Sequence, residues 1–185
     1  EEIASVVERV GISVPFLRPK ELAADDTPML PVIQHAVRSF VESNNRKPDY
    51  ILLIQPTSPF VRTSQIEEAL TLLENSEADA VTTVVEVPHN LHPYNARVLE
   101  DGCVRFFMEE EHYRYTTRQS KPKLYAFGNL YAFTYSTLMD QGSFFGERCL
   151  AYLIDPISAF DINDPTDLLI AECIAKGGLH VSADS

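Results

Sequence analysis

No stretch of this 185-residue sequence approaches the roughly 20 uninterrupted apolar residues that a membrane-spanning helix needs, so no membrane partner is expected. No secretory leader is expected either, because the first residues are acidic and polar-periodic. Cysteine is scarce: Cys103, Cys149 and Cys173 are scattered, odd in number and without metal-ligand spacing. That usage suits reduced, buried thiols and a cytoplasmic setting. Basic residues are outnumbered, 15 Lys and Arg against 27 Asp and Glu, for a formal charge of −12. Nucleic acid is therefore not an expected partner, since phosphate backbones are gripped by net basic faces. One small phosphorylated ligand is still compatible, because a few local cations or a divalent metal on acidic oxygens suffice for it. No Gly-rich phosphate loop is present, and no Ser-His-Asp arrangement can be argued.

What is present is enough apolar content, 45%, to bury one core, so residues 1–185 read as a single domain. Ile3, Val6, Val7 and Val10 recur at helical spacing before Gly11, and Ile12 to Leu17 reads as a short strand. Thr27-Pro28 opens a second helix, in which Ile33, Val37, Phe40 and Val41 form the apolar stripe and Asn44-Asn45 the stop. Tyr50 to Ile54 is a continuous apolar run, as in a strand buried on both faces of a parallel sheet. Ser64 and Glu67 suggest a capping box, Ile66, Ala69, Leu70 and Leu73 a helix face, and the Val- and Thr-rich Ala80 to Val87 another strand. This alternation predicts an α/β fold: a three-layer, doubly wound, mainly parallel sheet. Residues 88–125 break the pattern with Pro, His and Gly punctuation, an acidic run at Glu109 to Glu111 and then a basic patch. They read as an excursion from the sheet. Strands at Leu130 to Thr134 and Ala151 to Ile154 follow, and then a helix capped by Asp164, opened by Pro165 and ended at Gly177-Gly178.

Three constellations carry possible chemistry. Gln55-Pro56-Thr57-Ser58-Pro59 follows a buried strand and so sits at a carboxyl end, where open α/β sheets bind ligands. Its amide and two hydroxyls, on a proline-stiffened turn, suit a polyhydroxylated ligand, although the same residues also make an ordinary strand-to-helix turn. In Asp161-Ile162-Asn163-Asp164, alternation puts Asp161 and Asn163 on one face, a reasonable seat for Mg²⁺; helix capping is the competing explanation for the acids that follow. Arg114, Arg118, Lys121 and Lys123 form a basic segment in an acidic protein. An Arg there suits a carboxylate held bidentately, and a solvated arm balancing Glu109 to Glu111 suits it too. His89, His92 and His112 are too irregularly spaced for a metal site and, with His35, read as structural.

Ile51-Leu52-Leu53-Ile54-Gln55-Pro56-Thr57-Ser58-Pro59, with Arg62, resembles the sialic-acid-site segment of bacterial acylneuraminate cytidylyltransferases. Leu17 to Thr27 resembles the same family's stretch beside the cytidine base, and the likeness runs in order through nearly the whole chain. The resemblance implies a nucleotide-diphospho-sugar transferase-like, Rossmann-like fold that transfers CMP from CTP to a sialic-acid-like nine-carbon sugar acid and releases pyrophosphate. It implies Mg²⁺ on Asp161, the catalytic carboxylate, and on Asn163, which replaces the second acid of the family's Asp-Ile-Asp. It places Gln55, Thr57, Ser58, Arg118, Gln119, Tyr131, Phe144 and Phe145 around the sugar acid, with Arg18 and Thr27 near the nucleotide. Gly128 and Tyr131 match a Gly-Ala-Ile-Tyr strand, although Phe127 stands where the family commonly has Asn. Residues 88–125 resemble a dimerisation arm, implying a homodimer with shared sites. The family's opening strand and basic phosphate loop have no counterpart here, so the resemblance implies a domain lacking them. A cytidylyltransferase for 3-deoxy-octulosonate, pseudaminic or legionaminic acid, or an inactive sugar-binding relative, are the alternatives.

Overall fold

The computed structural model describes residues 2–24 and 26–177. Helix α1 (Glu2–Arg9) buries none of its residues, and Gly11, at φ 85°, turns the chain behind it. The strand expected at Ile12 to Leu17 does not form. Pro15 lies in the middle of that run and removes a ladder donor. The segment instead lays Phe16 edge-on against His35, ring centroids 5.6 Å apart. His35 belongs to α2 (Met29–Asn44), which starts behind Pro28 and ends at a left-handed Asn45, φ 49°. Of its expected stripe, Val37 is buried and Ile33 and Val41 pack beside it, whereas Phe40 is largely exposed.

Strand β1 (Tyr50–Ile54) leads through the Gln55–Pro59 turn to α3 (Thr63–Glu74). The capping box expected of Ser64 and Glu67 lies two residues earlier: the Gln65 carboxamide oxygen accepts from the Arg62 N–H at 3.1 Å. Gln65, 3% exposed, is turned inward and so occupies the third helical position that the reciprocal bond requires. Strand β2 (Ala80–Glu86) follows, and beyond the excursion come β5 (Tyr125–Thr134), α5 (Tyr135–Met139), β6 (Cys149–Leu153) and α6 (Pro165–Gly177). Asp164 caps α6 as expected, accepting from the N–H groups of Thr166 and Asp167 at 2.6 and 3.0 Å. Gly178 lies outside the described residues.

The main sheet has the order β1-β5-β2-β6. β2 and β6 are parallel, and β5 runs antiparallel to both β1 and β2. β1, β2 and β6 therefore point one way, and their carboxyl ends share an edge with the start of β5. Tyr50 to Ile54 is covered on both faces, as its continuous apolar run requires, but its sheet neighbour is the antiparallel β5 rather than a parallel strand. Leu52 packs with Ala69, Leu73, Val81 and Leu130 on the α3 side, while Ile51 and Leu53 pack with Val37, Phe133 and Leu138 on the side of α2 and α5. The result is three layers. No helix among the described residues is long and apolar enough to cross a membrane.

Residues 88–124 do leave the sheet. They form a hairpin of β3 (Arg97–Glu100) and β4 (Cys103–Phe106), then α4 (Glu109–Arg114). Asp101 (φ 50°) and Gly102 (φ 77°) supply the two positive φ angles of the tight turn. An aromatic cluster holds this excursion together, with Tyr94 stacked on Tyr115 and His112 on Phe106. His92, 4% exposed, places Nε2 3.1 Å from the Pro122 carbonyl while Nδ1 accepts from the Tyr94 N–H at 3.2 Å. A bond from the Val87 N–H to the Leu124 carbonyl, 2.8 Å, closes its neck.

Candidate active site

The turn after β1 and the segment after β6 meet at the carboxyl edge of the sheet. The Ile162 N–H donates to the Thr57 carbonyl at 2.9 Å, so Asp161 and Asn163 flank a residue bonded directly to the Gln55–Ser58 turn. That turn is closed by the Ser58 N–H on the Gln55 carbonyl, 3.1 Å, with Ser58 buried and Gln55 and Thr57 half-buried. Phe60 and Phe160 pack beside it, centroids 6.2 Å apart.

Asp161 is half-buried, and among the described residues no hydrogen bond or ion pair engages its carboxylate. Its two oxygens are therefore open to a cationic ligand. Asn163 is exposed, its backbone N–H is tied to the Asp167 carboxylate at 2.9 Å, and its carboxamide is unengaged among the described residues. Among the described residues no group of three or more His, Cys, Asp or Glu forms a metal cage. One carboxylate plus one amide oxygen instead fits Mg²⁺, which takes one or two protein oxygens and completes its shell with substrate phosphates and water.

Behind this edge lies a polar network outside the three constellations that the sequence singles out. The Asp155 carboxylate accepts from Arg62 Nη2 (2.7 Å), Ser158 Oγ (2.7 Å) and the N–H groups of Ile157 and Ser158 (3.0 and 3.1 Å). Burial alone would raise this carboxyl, but the Ser158 hydroxyl and amide, with the Arg62 charge, outweigh it and hold it below the ordinary carboxylate range. Asn129 donates through Nδ2 to Gln65 Oε1 and to the Ser158 carbonyl, both at 2.9 Å, and accepts from Thr83 Oγ1 at 3.0 Å. Thr83 Oγ1 also accepts the N–H groups of Asn129 and Leu130, filling the irregularity where β2 and β5 slip register between Thr82 and Val84. The available signal was Asn129 itself, a carboxamide inside an otherwise apolar strand.

Arg118 and Gln119 line a separate cleft of about 620 Å³ at the same edge, with Lys121, Lys123, His89 and Pro156. Pro156 directly follows Asp155, so this cleft and the Asp161 segment share one loop. Lys121 is bound to Asn95 (2.5 Å) and Lys123 to Glu86 (3.3 Å), whereas the Arg118 guanidinium is exposed and unengaged among the described residues. Tyr131, Phe144 and Phe145 do come together: Tyr131 lies 6.1 Å from Phe144 and 5.8 Å from Phe145, and Phe127 stacks on it at 4.2 Å. Phe144 also packs on Phe133 in the core, while Phe145 is 48% exposed. Asp79 holds the loop bearing this pair by accepting from the Glu147 and Arg148 N–H groups, each at 2.9 Å. Arg18 and Thr27 are not brought to this edge by any described hydrogen bond. Arg18 donates to the Leu22 carbonyl (3.3 Å) and, with Lys20, borders a second, largely apolar cavity of about 810 Å³ beside α1.

Comparison with known proteins finds relatives along most of the chain. A CMP-N,N'-diacetyllegionaminic acid synthase from Campylobacter jejuni is 30% identical over 174 residues, 93% of this chain and 72% of the relative. The chain belongs to the sugar-acid cytidylyltransferase family. Two further relatives support the assignment. Post-translational flagellin modification protein B of Campylobacter coli is 29% identical over 95% of this chain and 74% of its own length. The N-acylneuraminate cytidylyltransferase of Escherichia coli O18:K1:H7 is 29% identical over 95% of this chain, which spans 40% of that protein. No protein-family profile matches the chain. As a member of this family it is a nucleotidyltransferase.

Proposed function

We propose that the protein transfers CMP from CTP to a sialic-acid-like nine-carbon sugar acid. The observation that carries this reading is the Ile162–Thr57 bond, which sets Asp161, a carboxylate with no partner among the described residues, one residue from the hydroxyl- and amide-bearing Gln55–Ser58 turn. The anomeric hydroxyl oxygen of the sugar acid forms a bond to the α-phosphorus of CTP. The bond from that phosphorus to the bridging oxygen breaks, pyrophosphate leaves with the electron pair, and the hydroxyl proton is released to water. Gln55, Thr57 and Ser58 orient the sugar through groups that make no side-chain hydrogen bond among the described residues, so no internal bond has to break for them to engage it. Arg118, free at the mouth of the neighbouring basic cleft, receives the substrate carboxylate, with Gln119 beside it. Tyr131, Phe144 and Phe145 present an apolar wall to the acyl groups, and Arg18 and Thr27 serve the nucleotide. Asp161 and Asn163 would hold Mg²⁺, whose contribution there is to neutralise charge on the phosphates. Catalysis is then mainly positioning and charge neutralisation. The excursion at 88–124 supplies the dimer contact, and the setting is cytoplasmic.

Pyrophosphate release from CTP, measured on the full-length protein against a panel of N-acetylneuraminic, legionaminic, pseudaminic and 3-deoxy-octulosonic acids, tests the reading. The largest kcat/KM is expected for a nine-carbon acid. Asp161→Ala is expected to abolish Mg²⁺-dependent release while leaving the melting temperature within a few degrees of wild type. Unchanged turnover in that variant would remove Asp161 from the metal seat.

A further inference from the structure

Asn129 makes four elements converge. It stands on β5, 0% exposed, and its carboxamide spends both of its Nδ2 hydrogens and one oxygen lone pair inside the protein. Thr83 comes from β2, Gln65 from α3 and the Ser158 carbonyl from the loop that carries Asp161. All of these partners are buried: Thr83 and Ser158 at 0% and Gln65 at 3%. The loop is thereby held at three points, by Asp155 on Arg62, by the Ser158 carbonyl on Asn129 and by the Ile162 N–H on Thr57. Only the middle point is wholly removed from water. Gln65 doubles as the α3 cap that fixes Arg62, so the first point depends on Asn129 as well. A fully satisfied buried polar network is rigid, because every alternative arrangement leaves a desolvated donor or acceptor unpaired.

We propose that Asn129 is a positioning residue: through Ser158 and Gln65 it sets where the Asp155–Asn163 loop lies, and hence where Ile162 meets Thr57 with Asp161 beside it. The network itself is independent of the proposed function; the consequence for metal-dependent turnover rests on that reading.

Amide hydrogen exchange reads the loop directly. In Asn129→Ala, the Ile162 amide is expected to lose at least tenfold of its protection, while the amides of Asp79 and Thr134, at the opposite end of the strands, keep theirs. Thr83→Val, which keeps the shape but removes the hydroxyl that orients the carboxamide, is expected to give the same pattern more weakly, and Thr83→Ser to restore it. This second pair keeps the test decisive should Asn129→Ala fail to fold. In turnover, the Mg²⁺ concentration for half-maximal pyrophosphate release is expected to rise several-fold in Asn129→Ala, with Thr83→Ser near wild type. Loss of Ile162 protection only in step with Asp79 and Thr134, or wild-type protection in either folded variant, would overturn the positioning role. Selective loss at Ile162 in the variant, with a wild-type protein that transfers no cytidylyl group to any sugar acid, would support the positioning role and overturn the proposed function instead.

Discussion

Gly128 tests the packing behind the site more sharply than any ligand residue. A Cβ added there would lie 2.6 Å from Thr83 Oγ1, 2.8 Å from Ile154 Cδ1 and 2.9 Å from Thr83 Cβ. Comfortable carbon contacts are about 3.5–4.0 Å, so the neighbours must retreat by roughly an ångström. Ile154 is 7% exposed and Thr83 fully buried, which leaves little room for that retreat. Overpacking of this kind costs about 1–3 kcal/mol. If Thr83 yields by rotating, the N–H groups of Asn129 and Leu130 lose their acceptor, at about 1–3 kcal/mol for an unsatisfied buried group. The lower entropy of an unfolded chain with Ala in place of Gly offsets about 0.4–1 kcal/mol. A net loss of about 2–3 kcal/mol is expected for Gly128→Ala, a fall in Tm of about 5–10 °C for a chain of this size. Thr83→Ala removes the nearest clashing atom but also the hydroxyl acceptor, so it is destabilising alone and less than additive with Gly128→Ala. Denaturant melts of the two single variants and the double variant read the coupling. A Gly128→Ala protein within about 0.5 kcal/mol of wild type, or strict additivity, would refute the argument.

The two members of the aromatic pair are expected to behave differently. Phe144→Ala, cutting into the core beside Phe133, should cost about 3 kcal/mol, whereas Phe145→Ala should leave stability nearly unchanged and shift relative kcat/KM across sugar acids with different acyl groups; equal effects on Tm would contradict their placement. The Asp155 carboxyl sits below its ordinary range when folded, so its stabilising contribution is present above the unfolded pKa of about 3.9 and disappears as pH falls through the depressed folded value. Asp155→Asn should therefore be less stable than wild type at pH 7, with the gap narrowing on acidification below about pH 4. Parallel Tm–pH curves for the two proteins would remove Asp155 from the acid response.

The alternation of helices and strands was readable because each apolar run has a period of its own: α2 repeats Ile33, Val37 and Val41, and β2 carries Val and Thr together. The local logic of the α6 entry was equally plain, since Asp164 and Pro165 have few other uses in that order. Strand direction was not readable. Tyr50 to Ile54 looks alike whether its covered neighbour is parallel or antiparallel, and only the return of β5 between β1 and β2 decides it. Pro15 carried the warning against a strand at Ile12 to Leu17. Of the site, the two segments that meet at Thr57 and Ile162 were legible as ligand-type chemistry after strands. The Thr83–Asn129–Gln65–Ser158 node was not, because its members are ordinary polar residues joined only by the tertiary fold.

The bond between Val87 and Leu124 has a consequence beyond the sheet. The whole excursion leaves from one strand and returns on its immediate neighbour, so the two attachment points are fixed one hydrogen bond apart whatever hangs between them. Lengthening or exchanging such an appendage costs only slowly growing loop entropy. The layers beneath need not change when it does. The part of the molecule bearing Arg118 can thus be exchanged without disturbing the scaffold that holds Asp161, which makes this neck the natural place to graft a different appendage.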